Sequence, residues 1–85
     1  MTNITAHTLK CWPVQFHAVV NGLKPFELRL IDREFKVGDI LILEEYDPST
    51  ENSYTGLSCS REITYILKDF AGLQPGFCIM GLKPW

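Results

Sequence analysis

Apolar residues fall along this chain in three rhythms, and each predicts a different element. Trp12, Phe16, Val19 and Val20 stand at helical spacing around Pro13, a residue suited to a first helical position, and Asn21-Gly22 supplies a left-handed stop. That pattern predicts a two-turn helix over 13–21 with Trp12 in its apolar face. Phe26-Glu27-Leu28-Arg29-Leu30 alternates with the period of a half-buried strand, Phe26, Leu28 and Leu30 on one side and Glu27 and Arg29 on the other. Ile40-Leu41-Ile42-Leu43 is a continuous aliphatic run, which suits a strand covered on both faces. His7–Cys11, Arg61–Leu67 and Phe77–Leu82 read as further strands, the second of them β-branched and aromatic.

Between these runs lie turn formers: Val37-Gly38-Asp39, the polar stretch from Asp47 to Gly56, and Gln74-Pro75-Gly76. The expected fold is mainly β (α+β): a small β-barrel of about five strands, with one N-terminal helix packed against it. Barrel closure would protect the aliphatic strand edges from aggregation. Phe16, Val20, Leu28, Ile42 and Ile66 are the expected core positions, each at an apolar position of its element's period.

Eighty-five residues, 46% of them apolar, make one domain over residues 1–85 with an adequate core, and exclude a disordered chain. No apolar run approaches the ~20 residues of a membrane helix. The chain opens without a cationic segment leading into an apolar one, so a secretory leader and a membrane partner are not expected. These features predict a cytoplasmic protein. Cys11, Cys59 and Cys78 are odd in number and widely spaced, unlike a disulfide framework. His7, Cys11 and His17 are near one another in sequence, but their count and spacing do not make a metal site. Neither a metal nor another cofactor is expected.

The net charge of −2 is unevenly spread. Residues 1–36 hold five basic residues (Lys10, Lys24, Arg29, Arg33, Lys36) against three acids, a balance of +2, whereas residues 37–85 stand at −4. The positive charge gathers around one segment. Glu27 and Arg29 share a strand face, and Lys24 stands at the strand's start, kept extended by Pro25. A lysine, a carboxylate and a guanidinium converging there can bind an anion and orient a base edge, or can polarise a phosphate with Glu27 as general base. The plainer alternative is a rim ion pair of small energetic weight.

Gly22-Leu23-Lys24-Pro25-Phe26-Glu27-Leu28-Arg29 resembles the Gly-x-Lys-x-x-Glu-x-Arg signature of the ASCH family. Asp32–Phe35, Val37–Leu41, an acidic Glu44–Asp47 turn, Ile63–Leu67 and Gly76–Leu82 follow in the order of its short phage and bacterial branch, DUF3850, so the likeness covers about residues 7–82. The resemblance implies a PUA-like barrel, a cleft beside the motif, and RNA or nucleotide as partner. It also implies a phage-related origin.

Two function classes follow. The first is a binding module that grips RNA or a nucleotide through Lys24, Glu27 and Arg29. Arg33 and Lys36 then extend the positive path along phosphates, and Tyr54 in the exposed hairpin offers a stacking surface. A monomer is expected. The alternative is a small metal-independent hydrolase, with Lys24 and Glu27 as the catalytic residues of a ribonuclease or of a nucleoside deacylase. Related ASCH deacylases use the motif lysine, a threonine and a distant glutamate. Lys24 matches the lysine, Glu27 stands at the threonine's place, and the region that carries the distant glutamate has no counterpart here. The binding module ranks first.

Overall fold

The computed structural model describes residues 3–85. Five strands and one helix follow in the order β1 (Ala6–Cys11), α1 (Pro13–Val20), β2 (Phe26–Leu30), β3 (Ile40–Tyr46), β4 (Tyr54–Lys68) and β5 (Phe77–Pro84). The strands form one sheet in the order β1-β3-β4-β5-β2, curled into a half-barrel. β1 runs parallel to β3, and every other neighbouring pair is antiparallel. The expected mainly β architecture with an early helix is therefore the observed one. Closure is incomplete: no backbone ladder joins β1 to β2 among the described residues, and these two edges face each other across a seam. No helix among the described residues is long and apolar enough to cross a membrane.

The long strand β4 curls because it carries an extra residue opposite β5. The register slips between Ile63 and Tyr65, and a bulge of this kind bends a strand and increases its twist. Gly81 lies opposite that bulge, where a β-carbon would come within 2.7 Å of Thr64 Oγ1, so only glycine fits without rearrangement. The interior is built from alternate positions: Leu9 and Cys11 on β1, Leu41 and Leu43 on β3, Ile63 on β4, and Cys78, Met80 and Leu82 on β5. Helix α1 lies against β3 and adds Phe16 and Val19 to this core.

Three expected core positions differ, and each has a local cause. Val20, the last helical residue, points outward, because so short a helix buries only the Phe16/Val19 edge. Trp12 has extended backbone angles and precedes the helix rather than joining its face; its side chain is 61% exposed. Leu28 is 52% exposed, because β2 is inverted relative to the amphipathic rule. Phe26, Leu28 and Leu30 point outward, while Glu27, at 3% exposure, points inward. Of the remaining expected core residues, Phe16 is fully buried and Ile42 and Ile66 are half-buried. Glu44 to Tyr46 continue β3 instead of forming the expected turn.

At one end of the sheet His7, buried on β1, meets the Asp39 carboxylate at 2.8 Å, and the Lys36 backbone N–H donates to that same oxygen. The Phe35 ring packs edge-on against the His7 imidazole. This polar pin holds the loop before β3 to β1. No buried side-chain nitrogen or oxygen among the described residues lacks a hydrogen-bond partner.

Candidate functional site

Helix α1 ends in a way that aims Lys24. The Leu23 N–H returns to the Ala18 carbonyl at 2.9 Å and the Gly22 N–H to Val19 at 3.1 Å, the paired bonds of a Schellman cap. Gly22 takes φ +78°, a left-handed conformation that glycine adopts without strain. The Lys24 N–H also bonds to Ala18 O, at 3.0 Å, so the chain doubles back under the helix before Pro25 releases it into β2. Lys24 is thereby brought beside the inward face of the strand it precedes.

Glu27 organises what it finds there. Its Oε1 accepts from Lys24 Nζ at 3.1 Å and its Oε2 accepts from Arg29 Nε at 2.7 Å. Arg29 also donates through a terminal nitrogen to the Lys10 carbonyl on β1, so a side chain spans the seam that the backbone leaves open. The Glu27 side chain is almost entirely enclosed, while those of Lys24 and Arg29 keep part of their surface in solvent. A buried carboxylate stays in such a place only when it is paired and hydrogen-bonded, and here each oxygen has its own cation. Lys24 retains two further N–H groups and Arg29 a free terminal nitrogen, all able to donate to a ligand.

Lys24, Glu27 and Arg29 share one depression of about 770 Å³ along the β1–β2 seam. Lys10, Trp12 and Gln15 line one side of it, and Phe26, Leu28 and Leu30 the other. Three cations against one carboxylate give this surface a local balance of +2 in a chain of net charge −2. Arg29 and Lys10 also line a neighbouring groove of about 310 Å³, whose other walls include Asp32, Arg33, Glu44 and Tyr54. Arg33 is paired with Asp32 at 3.0 Å, and that hydrogen bond holds the Asp32 carboxyl below the usual range. Lys36 lines neither depression; it is exposed and stands 3.7 Å from Glu34. The structure thus brings five of the six expected site residues to two adjoining surfaces and leaves Lys36 apart.

Lys10, Phe26 and Trp12 also line the cleft. Lys10 lies at an outward position of β1, its ammonium 4.4 Å from the Tyr46 ring centre. Phe26 shares the apolar face of its strand's period and the spacing of Trp12 favours core over a stacking surface, yet both line the cleft as exposed aromatics. Glu45, the register partner of Cys11 on β3, is buried, accepting from Thr55 Oγ1 at 2.7 Å and meeting His17 Nε2 at 2.9 Å. Sequence spacing carried no signal for that group, since its members come from three elements.

Cys11 lies at the cleft wall with its thiol pushed up to about 11, first by burial and next by the negative charge of Glu27. At pH 8 only about one molecule in a thousand carries it as the reactive thiolate. Burial also raises the Cys59 and Cys78 thiols. With an aromatic disulfide reagent at pH 8, the half-buried Cys59 is expected to react first in native protein, whereas Cys11 and Cys78 become reactive only on unfolding. Mass mapping of the labelled peptides checks this, and rapid native labelling of Cys11 would show the cleft wall to be open.

No curated protein matches the chain. Residues 6–82, nearly its whole length, match the family described as Domain of unknown function (DUF3850), and the chain belongs to that family.

Proposed function

We propose that the protein is a binding module that grips a nucleotide unit of RNA in the seam cleft and leaves it chemically unchanged. The observation that carries this reading is the inversion of β2. A strand that would gain stability by burying Phe26, Leu28 and Leu30 instead buries Glu27 and exposes all three. Departures of this kind from local folding rules gather at functional sites. The inversion yields two cations held in fixed positions beneath exposed aromatic and aliphatic side chains. Such a surface suits an anionic ligand with a flat apolar part, since a phosphate takes the charge-assisted hydrogen bonds and a base takes the stacking. The resemblance of Gly22–Arg29 to the ASCH signature supports the same partner.

Both Glu27 oxygens already accept hydrogen bonds from cations. That arrangement favours Glu27 as the group that positions Lys24 and Arg29 over Glu27 as a general base. The test is RNA binding followed by fluorescence anisotropy, with the RNA recovered afterwards and sized on a gel. Lys24→Ala is expected to weaken binding about ten- to a hundredfold, the effect of losing one charged hydrogen bond of roughly 1.5–3 kcal/mol. Affinity is expected to fall as salt rises, and the RNA to remain intact. Chelator-resistant cleavage abolished by Glu27→Gln would replace this reading with the hydrolase. Absence of both binding and cleavage would leave a structural ion pair.

A further inference from the structure

Resting on the binding reading above, the geometry points to a single-stranded oligonucleotide, of at least two nucleotides, as the ligand of this surface, and not a free mononucleotide or nucleoside triphosphate. The cleft and the neighbouring groove are separate depressions with a common border made by Lys10 and Arg29. Each side of that border offers a cation and an exposed aromatic among its lining residues. On the cleft side stand Lys24 and Trp12; on the groove side stand Arg33 and Tyr54. Alternation of cations and aromatic faces along a groove is how proteins track a single strand, with one base stacked per aromatic and the backbone held between.

The border itself is well fixed. Arg29 is held by Glu27 on one side and by the Lys10 carbonyl on the other, and the Lys10 ammonium rests over the Tyr46 ring. Tyr46 in turn meets Tyr54 edge to face at 5.0 Å, so the aromatic of the groove is braced against the same support. A phosphodiester bridging two nucleotides would sit on the Lys10–Arg29 border, with a base on either side.

Charge separates this ligand from a triphosphate. The two depressions together hold Lys10, Lys24, Arg29 and Arg33 against Glu27, Asp32 and Glu44, a balance of +1. That suits the single negative charge of one diester. A triphosphate carries several charges in a short span and would press some of them towards Asp32 or Glu44, a repulsive placement. Those carboxylates are instead suited to accept hydrogen bonds from ribose hydroxyls or exocyclic amines of the second nucleotide.

Isothermal titration with the four ribo-homotetramers, the four 5′-monophosphates and the four 5′-triphosphates tests the inference. At least one tetramer is expected to bind tenfold or more tightly than its monophosphate, and no triphosphate is expected to match it. Tyr54→Ala and Arg33→Ala should each remove most of that increment, lowering tetramer affinity more than monophosphate affinity, whereas Lys24→Ala should weaken both alike. Thermal melts of each variant establish that it is folded. Monophosphate binding without a tetramer increment, or a triphosphate as the tightest ligand, overturns the two-site inference and leaves the cleft reading in place. Failure of every probe to bind overturns both.

Discussion

Glu27→Ala is expected to destabilise the fold by about 2–3 kcal/mol, although the residue removed is a charged one on a short edge strand. Stripping one partner from a fully buried ion pair costs roughly 3–5 kcal/mol, because the remaining charge is left without solvent or counter-ion. A surface pair contributes only about 0–1 kcal/mol. Glu27 lies at the buried extreme, with a side chain 4% exposed, but its partners do not: Lys24 and Arg29 retain 15% and 25% of their side-chain surface. After truncation the two cations can partly rehydrate, which places the cost between the limits. Glu27→Gln should cost less, since the amide oxygen still accepts from one cation while the amide nitrogen must turn away from the other. Urea unfolding of both variants measures this. A loss below about 0.5 kcal/mol for the alanine variant would place the three residues in the class of solvated surface pairs, and with it remove the physical basis for a preorganised site.

The extent to which the amino-acid sequence reveals this molecule follows from where its physics is local. The helix was legible because Pro13 and Asn21-Gly22 are themselves its start and stop, acting through backbone geometry at those residues. The aliphatic run at Ile40–Leu43 was legible because a strand buried on both faces leaves no polar position to fill. The spacing of Lys24, Glu27 and Arg29 was also legible, because all three flank one helix-to-strand junction. Their orientation was not. Alternation fixes which residues of a strand share a face, but says nothing of which face meets the core; that is decided by the partner β5, whose inward Cys78 and Met80 pair with Arg29 and Glu27. Alternation with burial of the apolar set therefore puts Leu28 on the wrong side of β2. Lys10 and Tyr54 meet at the groove because β1 and β4 both pair with β3, a non-local arrangement that no short motif carries. Lys36 illustrates the opposite case. Closeness in sequence to Arg33 suggested a common surface, but the Lys36 backbone is tied to Asp39 at the far end of β1 and its side chain goes with it.

Leu43→Ala and Leu28→Ala, the same truncation on strands β3 and β2, are expected to differ by at least about 1 kcal/mol. Leu43 is fully enclosed, and removing its side chain leaves a void among Leu9, Phe16 and the other core residues that neighbouring groups fill only in part. The expected cost is about 2–5 kcal/mol, a large share of a small domain's stability. Leu28 is half-exposed on the outer face of the sheet, where truncation removes little buried area and makes no cavity, so its cost should stay below about 1 kcal/mol. Periodicity alone would rank the two sites equal, so the comparison isolates the inversion of β2 from general features of the fold. Chemical denaturation of wild type and both variants, at two protein concentrations tenfold apart, supplies the measurement. If Leu28→Ala proves as costly as Leu43→Ala at both concentrations, Leu28 points into the core and the buried position of Glu27 fails with it. If the Leu28→Ala cost appears only at the higher concentration, the outer face formed by Phe26, Leu28 and Leu30 is covered by a second copy of the chain, and the expectation of a monomer is overturned.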